Sequence, residues 1–178
     1  MSQKTSVSVS IQMDAKSFHD FAAFDLLHHH KGWQRPAVFT AILLVCAGIC
    51  MGQIGKRDGA GLLTVVLALV ALGLPAVYFG TFFHNLSQQI KKLGLPRPFY
   101  RLTLDDDGLS VWMAGAQDKT EPTHQYAWSS VYCAYRTNDA VYIYVQQNQA
   151  YLLNESMDAA WALLAEVLPA EKLHNCRK

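Results

Sequence analysis

Charged residues are missing from two long stretches of this 178-residue sequence. Residues 36–54 and 61–83 contain no Asp, Glu, Lys, Arg or His. Each stretch is about as long as the roughly 20 apolar residues that a helix needs to cross a bilayer core. Because ionisable residues inside a membrane usually mark ion paths and substrate sites, their absence argues against a channel or a transporter.

The two apolar stretches are separated only by the short polar segment 55–60, so they predict a transmembrane helical hairpin at 36–83. A buried helical pair in a soluble protein is the alternative. Residues 1–35 and 84–178 are too few and too polar to enclose two such helices. The first stretch follows a long polar segment, which favours an uncleaved signal anchor over a removed signal peptide.

Basic residues flank the hairpin unevenly, and this asymmetry predicts its orientation. Lys and Arg near membrane spans stay preferentially in the cytoplasm. Only two lie in the connecting segment, Lys56 and Arg57, whereas six lie outside the hairpin: Lys31, Arg35, Lys91, Lys92, Arg97 and Arg101. We therefore expect both termini of the chain in the cytoplasm.

The four cysteines are too scattered for a disulfide framework or a zinc knuckle. Cys46 and Cys50 lie in the first span, Cys133 in an expected strand and Cys176 in the tail. Thiols of a cytoplasmic domain stay reduced, so Cys133 is interpreted as a small core residue.

Small residues recur at helical spacing in both spans, as Gly48 with Gly52 and as Ala76 with Gly80. Such steps let helix backbones approach closely. The pattern predicts close packing within the hairpin, and replacing Gly48 and Gly52 with Leu should weaken it. Homodimerisation through the same glycines is the alternative.

The N-terminal segment 1–35 is expected to hold a strand followed by a juxtamembrane helix. Polar and apolar residues alternate strictly in Ser6–Ile11, a pattern typical of a half-buried strand. Asp14 is a candidate helix cap, and an apolar stripe follows it, made by Phe18, Phe21 and Leu26.

Three adjacent histidines, His28–His30, end this helix. Consecutive residues of a regular helix face different directions, so all three cannot converge on one metal ion. The sequence therefore predicts a solvated, partly cationic flank and no metal ligand.

After the hairpin, residues 84–98 are expected to extend the second helix and then form a proline-stiffened linker. Residues 99–178 predict a cytoplasmic domain with an antiparallel sheet and a C-terminal helix at Ser156–Leu168, with Ser156 as its cap. The fold class is therefore an α+β membrane protein. The expected strands are Phe99–Leu104, Leu109–Ala114, Gln125–Arg136, Ala140–Gln146 and Ala150–Leu153.

Motifs that would identify an enzyme are missing as well. Asp105–Gly108 resembles the start of a calcium loop, but Ala116 stands where the closing Glu would be needed, so a hairpin turn is predicted. His124, Ser129 and Ser130 have neither a nucleophile elbow nor an orienting carboxylate. We predict no catalytic residue, no cofactor and no enzymatic activity.

The net charge of the chain conceals an uneven distribution. From Phe99 onward six Lys and Arg oppose ten Asp and Glu, a balance of minus four, whereas the preceding part has nine against four, a balance of plus five. Nucleic-acid binding normally leaves a basic footprint, so an acidic C-terminal domain argues against it. The basic juxtamembrane residues favour contact with the lipid bilayer.

A family resemblance rests on the hairpin together with short motifs in the C-terminal domain: Leu102-Thr103-Leu104, Asp107-Gly108-Leu109, Tyr126-Ala127-Trp128-Ser129-Ser130-Val131 and Tyr151-Leu152-Leu153. In these features the chain resembles the YcxB-like bacterial membrane proteins. The resemblance implies an inner-membrane location and a cytoplasmic β-roll similar to the pleckstrin-homology fold. It supplies no functional residues, because the family has no generally assigned activity.

Three functions stay open from the sequence. The leading hypothesis is a membrane-tethered cytoplasmic interaction module with a protein partner, in which Trp112, Tyr126, Trp128 and Tyr144 belong to the core or to a binding groove, with the core favoured. The second is an immunity or accessory protein against a membrane-active toxin. The third is a lipid or small-ligand sensor, which predicts an apolar pocket between the sheet and the C-terminal helix.

Overall fold

The computed structural model describes residues 6–115 and 120–177. It divides the chain into two compact units, one of helices, Ala15–Leu95, and one that joins the N-terminal residues to everything from Pro96 onward. The α+β class expected from the sequence is confirmed. Residues 116–119, between the expected strands Leu109–Ala114 and Gln125–Arg136, lie outside the described residues.

The helical unit contains three helices and one unusual turn. Helix α1 covers Ala15–Phe24, a π-helical turn covers Asp25–His29, and the long helices α2 and α3 cover Gln34–Met51 and Ala60–Leu93. The second apolar stretch and its expected extension form one continuous helix, α3, although it contains Pro75. Both α2 and α3 are long and apolar enough to cross a membrane.

The contact between α2 and α3 depends on alanine and threonine. Ala47 and Ala71 are buried, and the Thr40 hydroxyl donates a hydrogen bond to the Ala71 carbonyl oxygen at 3.2 Å. A β-carbon added at Gly48 or Gly80 would lie more than 4 Å from any described neighbour outside the local helix backbone. The expectation that Gly48 and Gly52 mediate packing in the hairpin is therefore wrong, because spacing reveals a small-residue face but not the direction in which it points.

The β unit begins with strand β1, Val7–Met13, which was expected from its alternation and buries Val9, Ile11 and Met13. Strands β1 to β4 form the first four-stranded sheet of the described residues, in that order, and strands β5 to β8 form the second, in the order β7-β6-β5-β8. The remaining strands are β2 (Arg97–Leu104), β3 (Gly108–Met113), β4 (His124–Ala127), β5 (Cys133–Arg136), β6 (Val141–Gln146), β7 (Gln149–Leu153) and β8 (Leu173–Asn175).

Strand β1 pairs antiparallel with β2, although the entire helical unit lies between them in the chain. The register runs from Val7 opposite Leu104 to Met13 opposite Arg97, with an irregularity after Ile11. Pro98 lies opposite Gln12 at this irregularity, where a residue without an N–H group is tolerated. Strand β2 therefore begins before Pro98, not after it as expected, and the N-terminal strand shares a sheet with the C-terminal domain.

The expected strand Gln125–Arg136 is two strands. A 3₁₀ turn at Trp128–Ser130 separates β4 from β5 and passes the chain from the first sheet to the second. The Trp128 indole fixes this turn by donating a hydrogen bond to the Asp105 carbonyl oxygen at 2.8 Å. The single sheet expected from the sequence is therefore a pair of sheets.

The expected C-terminal helix is confirmed as α4, Met157–Val167, which buries Ala160, Leu163 and Leu164. Ser156 precedes it in a left-handed conformation, with φ at 49°, and its side chain makes no capping hydrogen bond. Strand β8 follows α4 and pairs parallel with β5, a pairing that the sequence analysis missed because three residues carry no periodic signal.

Arg136 connects β5 to α4. Its guanidinium group forms an ion pair with the exposed Asp158 carboxylate and lies 5.8 Å from the centre of the Trp161 ring, while the arginine itself is buried. A buried guanidinium needs such a partner, so this contact holds the helix against the second sheet.

Tyr100 joins the two sheets through a pair of hydrogen bonds. Its hydroxyl donates to the Leu152 carbonyl oxygen at 3.0 Å and accepts from the Leu152 N–H at 2.7 Å. Leu152 belongs to β7, an end strand of the second sheet, so the phenol supplies the polar partners that a further strand would supply. Burial raises the pKa of Tyr100 well above its ordinary value, which keeps the hydroxyl protonated and able to donate.

We predict that Tyr100→Phe lowers the free energy of unfolding of the β unit by about 1–3 kcal/mol, because two buried backbone groups lose their partner. Denaturant unfolding followed by tyrosine fluorescence measures the loss. Tyr132→Phe is the matched control, since Tyr132 is 53% exposed and should cost less. Equal losses in the two variants would contradict the role assigned to Tyr100.

A second prediction concerns the helical unit. Ala71→Leu inserts three carbons into a fully buried contact and should destabilise the hairpin by about 1–3 kcal/mol. Gly48→Leu, which enters open space, should leave thermal stability in detergent nearly unchanged. A larger loss for Gly48→Leu than for Ala71→Leu would overturn the assigned helix contact.

Candidate functional site

Two of the four aromatic residues proposed for a core or a groove lie in the core of the β unit. Trp128 is 9% exposed and Tyr144 is 1% exposed, whereas Tyr126 and Trp112 are half-buried. The Arg101 guanidinium lies over the Trp112 ring, 4.6 Å from its centre. The core interpretation is confirmed for Trp128 and Tyr144.

Tyr126 belongs to a small polar cluster between β4 and β7. Its hydroxyl lies 3.2 Å from the Tyr151 hydroxyl, and the Gln149 amide donates to both oxygens at 3.2 Å. Burial and the contact with Tyr126 raise the pKa of Tyr151. The Tyr151 hydroxyl therefore stays protonated, and its hydrogen bonds with Tyr126 and Gln149 suit a structural contact between the sheets.

Two residues from the motifs that superficially resemble calcium-binding or catalytic sites, Asp105 and Ser130, make local hydrogen bonds in the β unit. The Asp105 carboxylate accepts hydrogen bonds from the N–H groups of Asp107 and Gly108, both at 3.0 Å, which closes the predicted hairpin turn. The Ser130 hydroxyl donates to the Ala127 carbonyl oxygen at 2.7 Å. Cys133 is buried, and burial raises the pKa of its thiol, as fits the predicted core residue.

The helical unit contains a cavity of about 870 Å³, a volume typical of small-molecule sites. It lies among α1, the π turn, the start of α2 and the second half of α3. The sensor hypothesis predicts a pocket between the sheet and the C-terminal helix, whereas this cavity lies among the helices, where no sequence motif indicates it. The residues that line it are Phe18, Phe21, Ala22, Asp25, Leu26, His30, Lys31, Gly32, Gln34, Arg35, Tyr78, Phe82, Asn85, Leu86 and Gln89.

The cavity combines an aromatic wall with a polar rim. Phe18, Phe21 and Phe82 provide apolar surface, while Lys31 and Arg35 provide two cationic groups. Packing of α1 on α3 supports this wall, since the His19 ring stacks on Phe83 with the centres 5.5 Å apart. The arrangement suits an amphipathic molecule with an anionic group.

The turn between α1 and α2 that shapes the rim is tight. Lys31 adopts a left-handed conformation with φ at 48°, and the Gly32 N–H donates to the Leu26 carbonyl oxygen at 2.7 Å. A β-carbon on Gly32 would lie 2.6 Å from the Leu26 Cδ1 atom and 3.1 Å from the Leu26 carbonyl oxygen, so a larger residue would require the Leu26 side chain to move. The left-handed conformation of Lys31 is uncommon for a residue other than glycine and costs roughly 1 kcal/mol or more.

The histidine segment is not the regular helix that the sequence analysis assumed. The His30 N–H donates to the Asp25 carbonyl oxygen at 2.9 Å, a bond that spans five residues and defines a π turn. The side-chain ligand atoms of Asp25, His29 and His30 all lie within 4.8 Å of one another. His28 points elsewhere, stacking on Phe24 with the ring centres 5.0 Å apart.

Comparison with known proteins gives no match: no protein-family model, no curated protein and no solved structure is similar to this chain. The geometry and chemistry of its own residues therefore carry the functional argument.

Proposed function

We propose that the protein is a two-span integral membrane protein that holds a β-rich interaction module at the cytoplasmic face of a bacterial inner membrane. One observation carries the proposal. Only 6% of the most apolar 18-residue window in each of α2 and α3 is buried. Residues such as Val38, Leu62 and Leu72 are 60% exposed or more, on helices without a polar face.

Such exposure is costly in water and favourable in lipid. Soluble proteins rarely expose contiguous apolar patches beyond a few hundred Å², and burying each large apolar side chain is worth roughly 1.5–3 kcal/mol. A core helix of a soluble protein would be largely covered by its own chain. Lipid is the environment that covers α2 and α3 as they stand.

The pairing of β1 with β2 supports the number of spans and the common location of their flanks. β1 precedes the two apolar helices and β2 follows them, yet the two strands share a ladder of backbone hydrogen bonds. Strands cannot pair across a bilayer, because open sheet edges are not stable in hydrocarbon. Two crossings of the membrane return the chain to the side on which β1 lies.

The distribution of Lys and Arg favours the cytoplasm for that side. Lys31 and Arg35 precede the spans, and Lys91 and Lys92 follow them within the last turn of α3. The connecting segment has only two basic residues and also contains Asp58. The positive-inside rule then favours the periplasmic side of the inner membrane for this segment.

The β unit suits the binding of a basic partner. Residues from Phe99 onward carry a net charge of minus four. Two sheets followed by a helix are compatible with the pleckstrin-homology-like roll and with the YcxB-like resemblance, and we propose both as working assignments. Each sheet has one short end strand, β4 with four residues and β8 with three, which limits self-pairing at those two edges.

We predict that the chain resists alkaline extraction from membranes. We also predict that the connecting segment 55–60 and the β unit are accessible from opposite sides of the membrane. The test uses a variant without native cysteines and single probes at Asp58→Cys, Ser10→Cys and Asn148→Cys. An impermeant maleimide added to intact bacterial cells should label only Asp58→Cys. The other two sites should react after permeabilisation.

The paired probes separate the parts of this proposal. Labelling of Ser10→Cys and Asn148→Cys, but not of Asp58→Cys, in intact cells would show the opposite orientation. The two-span hairpin itself would then still stand. Release of the protein by alkali would reject membrane insertion. Different labelling of Ser10→Cys and Asn148→Cys would contradict the pairing of β1 with β2.

The cavity favours a second function, the sensing of a lipid or another anionic amphiphile. Its aromatic wall would take an apolar chain, and Lys31 and Arg35 would bind the anionic head group.

We predict that the wild-type chain retains phosphatidylglycerol over phosphatidylcholine in native mass spectrometry, and that the double substitution of Lys31→Ala and Arg35→Ala abolishes this preference. Lys56→Ala with Arg57→Ala makes the same charge change and should preserve it. Equal effects of both pairs would reject the cavity as the site.

A further inference from the structure

The π turn changes which residues share a face. In an α-helix, residue i lies beside residues i+3 and i+4, so Asp25 would meet His28 and His29. The wider π turn, closed by the bond from His30 to Asp25, places residues i+4 and i+5 over residue i instead. Asp25 therefore faces both His29 and His30, and this rare geometry is frequent at functional sites.

We propose that Asp25, His29 and His30 form a binding site for a divalent transition-metal ion of the Zn²⁺ class. The His30 Nε2 atom lies 3.6 Å from the Asp25 Oδ2 atom, and the three ligand atoms lie within 4.8 Å of one another. Metal–ligand distances near 2.1 Å in a tetrahedral zinc site place two ligand atoms roughly 3.4 Å apart. The Asp25–His30 pair already has this spacing, and a side-chain rotation of His29 completes the triad.

The donor set selects the class of metal. Two neutral imidazoles and one carboxylate suit Zn²⁺ and its transition-metal neighbours, whereas Mg²⁺ and Ca²⁺ prefer oxygen ligands throughout. Three protein ligands leave one position for water or for an oxygen of a bound molecule. Asp25 and His30 also line the cavity, so that open position is available to a cavity ligand.

Nearby charges set the strength of the site. The side chains of Lys31 and Arg35 line the same cavity and repel a cation, whereas the Asp25 carboxylate attracts it. We therefore expect weaker binding than at a four-ligand structural zinc site. The metal site does not require membrane insertion, because Asp25, His29 and His30 all belong to one turn.

The test uses the full chain, purified in detergent with a tag that contains no histidine and stripped of metal with a chelator. Calorimetric titration with Zn²⁺ should give one equivalent, and Mg²⁺ should give none. Co²⁺ should produce the intense visible absorption of a four-coordinate site. Asp25→Asn, His29→Ala and His30→Ala should each weaken Zn²⁺ binding at least tenfold and abolish the Co²⁺ band.

His28→Ala is the matched control, since it removes a neighbouring imidazole that lies outside the triad. It should retain Zn²⁺ affinity within twofold and keep the Co²⁺ band. Circular dichroism and gel filtration of each variant verify that the fold is intact. The proposal is rejected if wild-type protein binds no Zn²⁺, if its Co²⁺ spectrum is octahedral, or if His28→Ala weakens binding as much as His29→Ala.

Discussion

The hydrogen-bonded pairing of β1 with β2 is the constraint on which this structure depends. It requires the chain to leave the first sheet at Met13, form the whole helical unit and return at Arg97, beside its starting point. The pairing adds a fourth strand to the first sheet, and this strand buries Val9, Ile11 and Met13. Long-range pairing of this kind costs loop-closure entropy, so the buried side chains of Val9, Ile11 and Leu102 must repay it.

The two units are stabilised by different kinds of contact. The β unit has a packed apolar core, to which the hydrogen bonds of the Tyr100 hydroxyl and the ion pair of Arg136 with Asp158 add polar contacts. The helical unit has fewer buried residues, and its helices α2 and α3 meet at Ala47 and Ala71, where Thr40 donates a hydrogen bond to the Ala71 carbonyl oxygen. Small contact residues and exposed apolar faces are what a bilayer requires, because lipid removes the hydrophobic driving force between helices.

The features of interest for binding converge on the turn between α1 and α2. There the chain departs from regular geometry three times in succession, through a π turn, the left-handed Lys31 and the tight approach of Gly32 to Leu26. Such departures cost free energy that the surrounding packing must offset. The result is a polar rim of histidine, lysine and arginine beside an aromatic wall.

Composition and periodicity alone determined the two apolar helices, strand β1, the hairpin turn at Asp105–Gly108 and helix α4, because each has a local signal that no distant contact alters. Tertiary structure alone decided the rest. The partner of β1, the division into two sheets at Trp128 and the outward direction of Gly48 depend on contacts between distant residues, which spacing does not encode. Asp25 faces His29 and His30 because the His30 N–H bonds to the Asp25 carbonyl oxygen, five residues earlier, as in a π turn. An α-helical bond would span four residues, and the packing around the segment, which the sequence pattern does not encode, decides between the two.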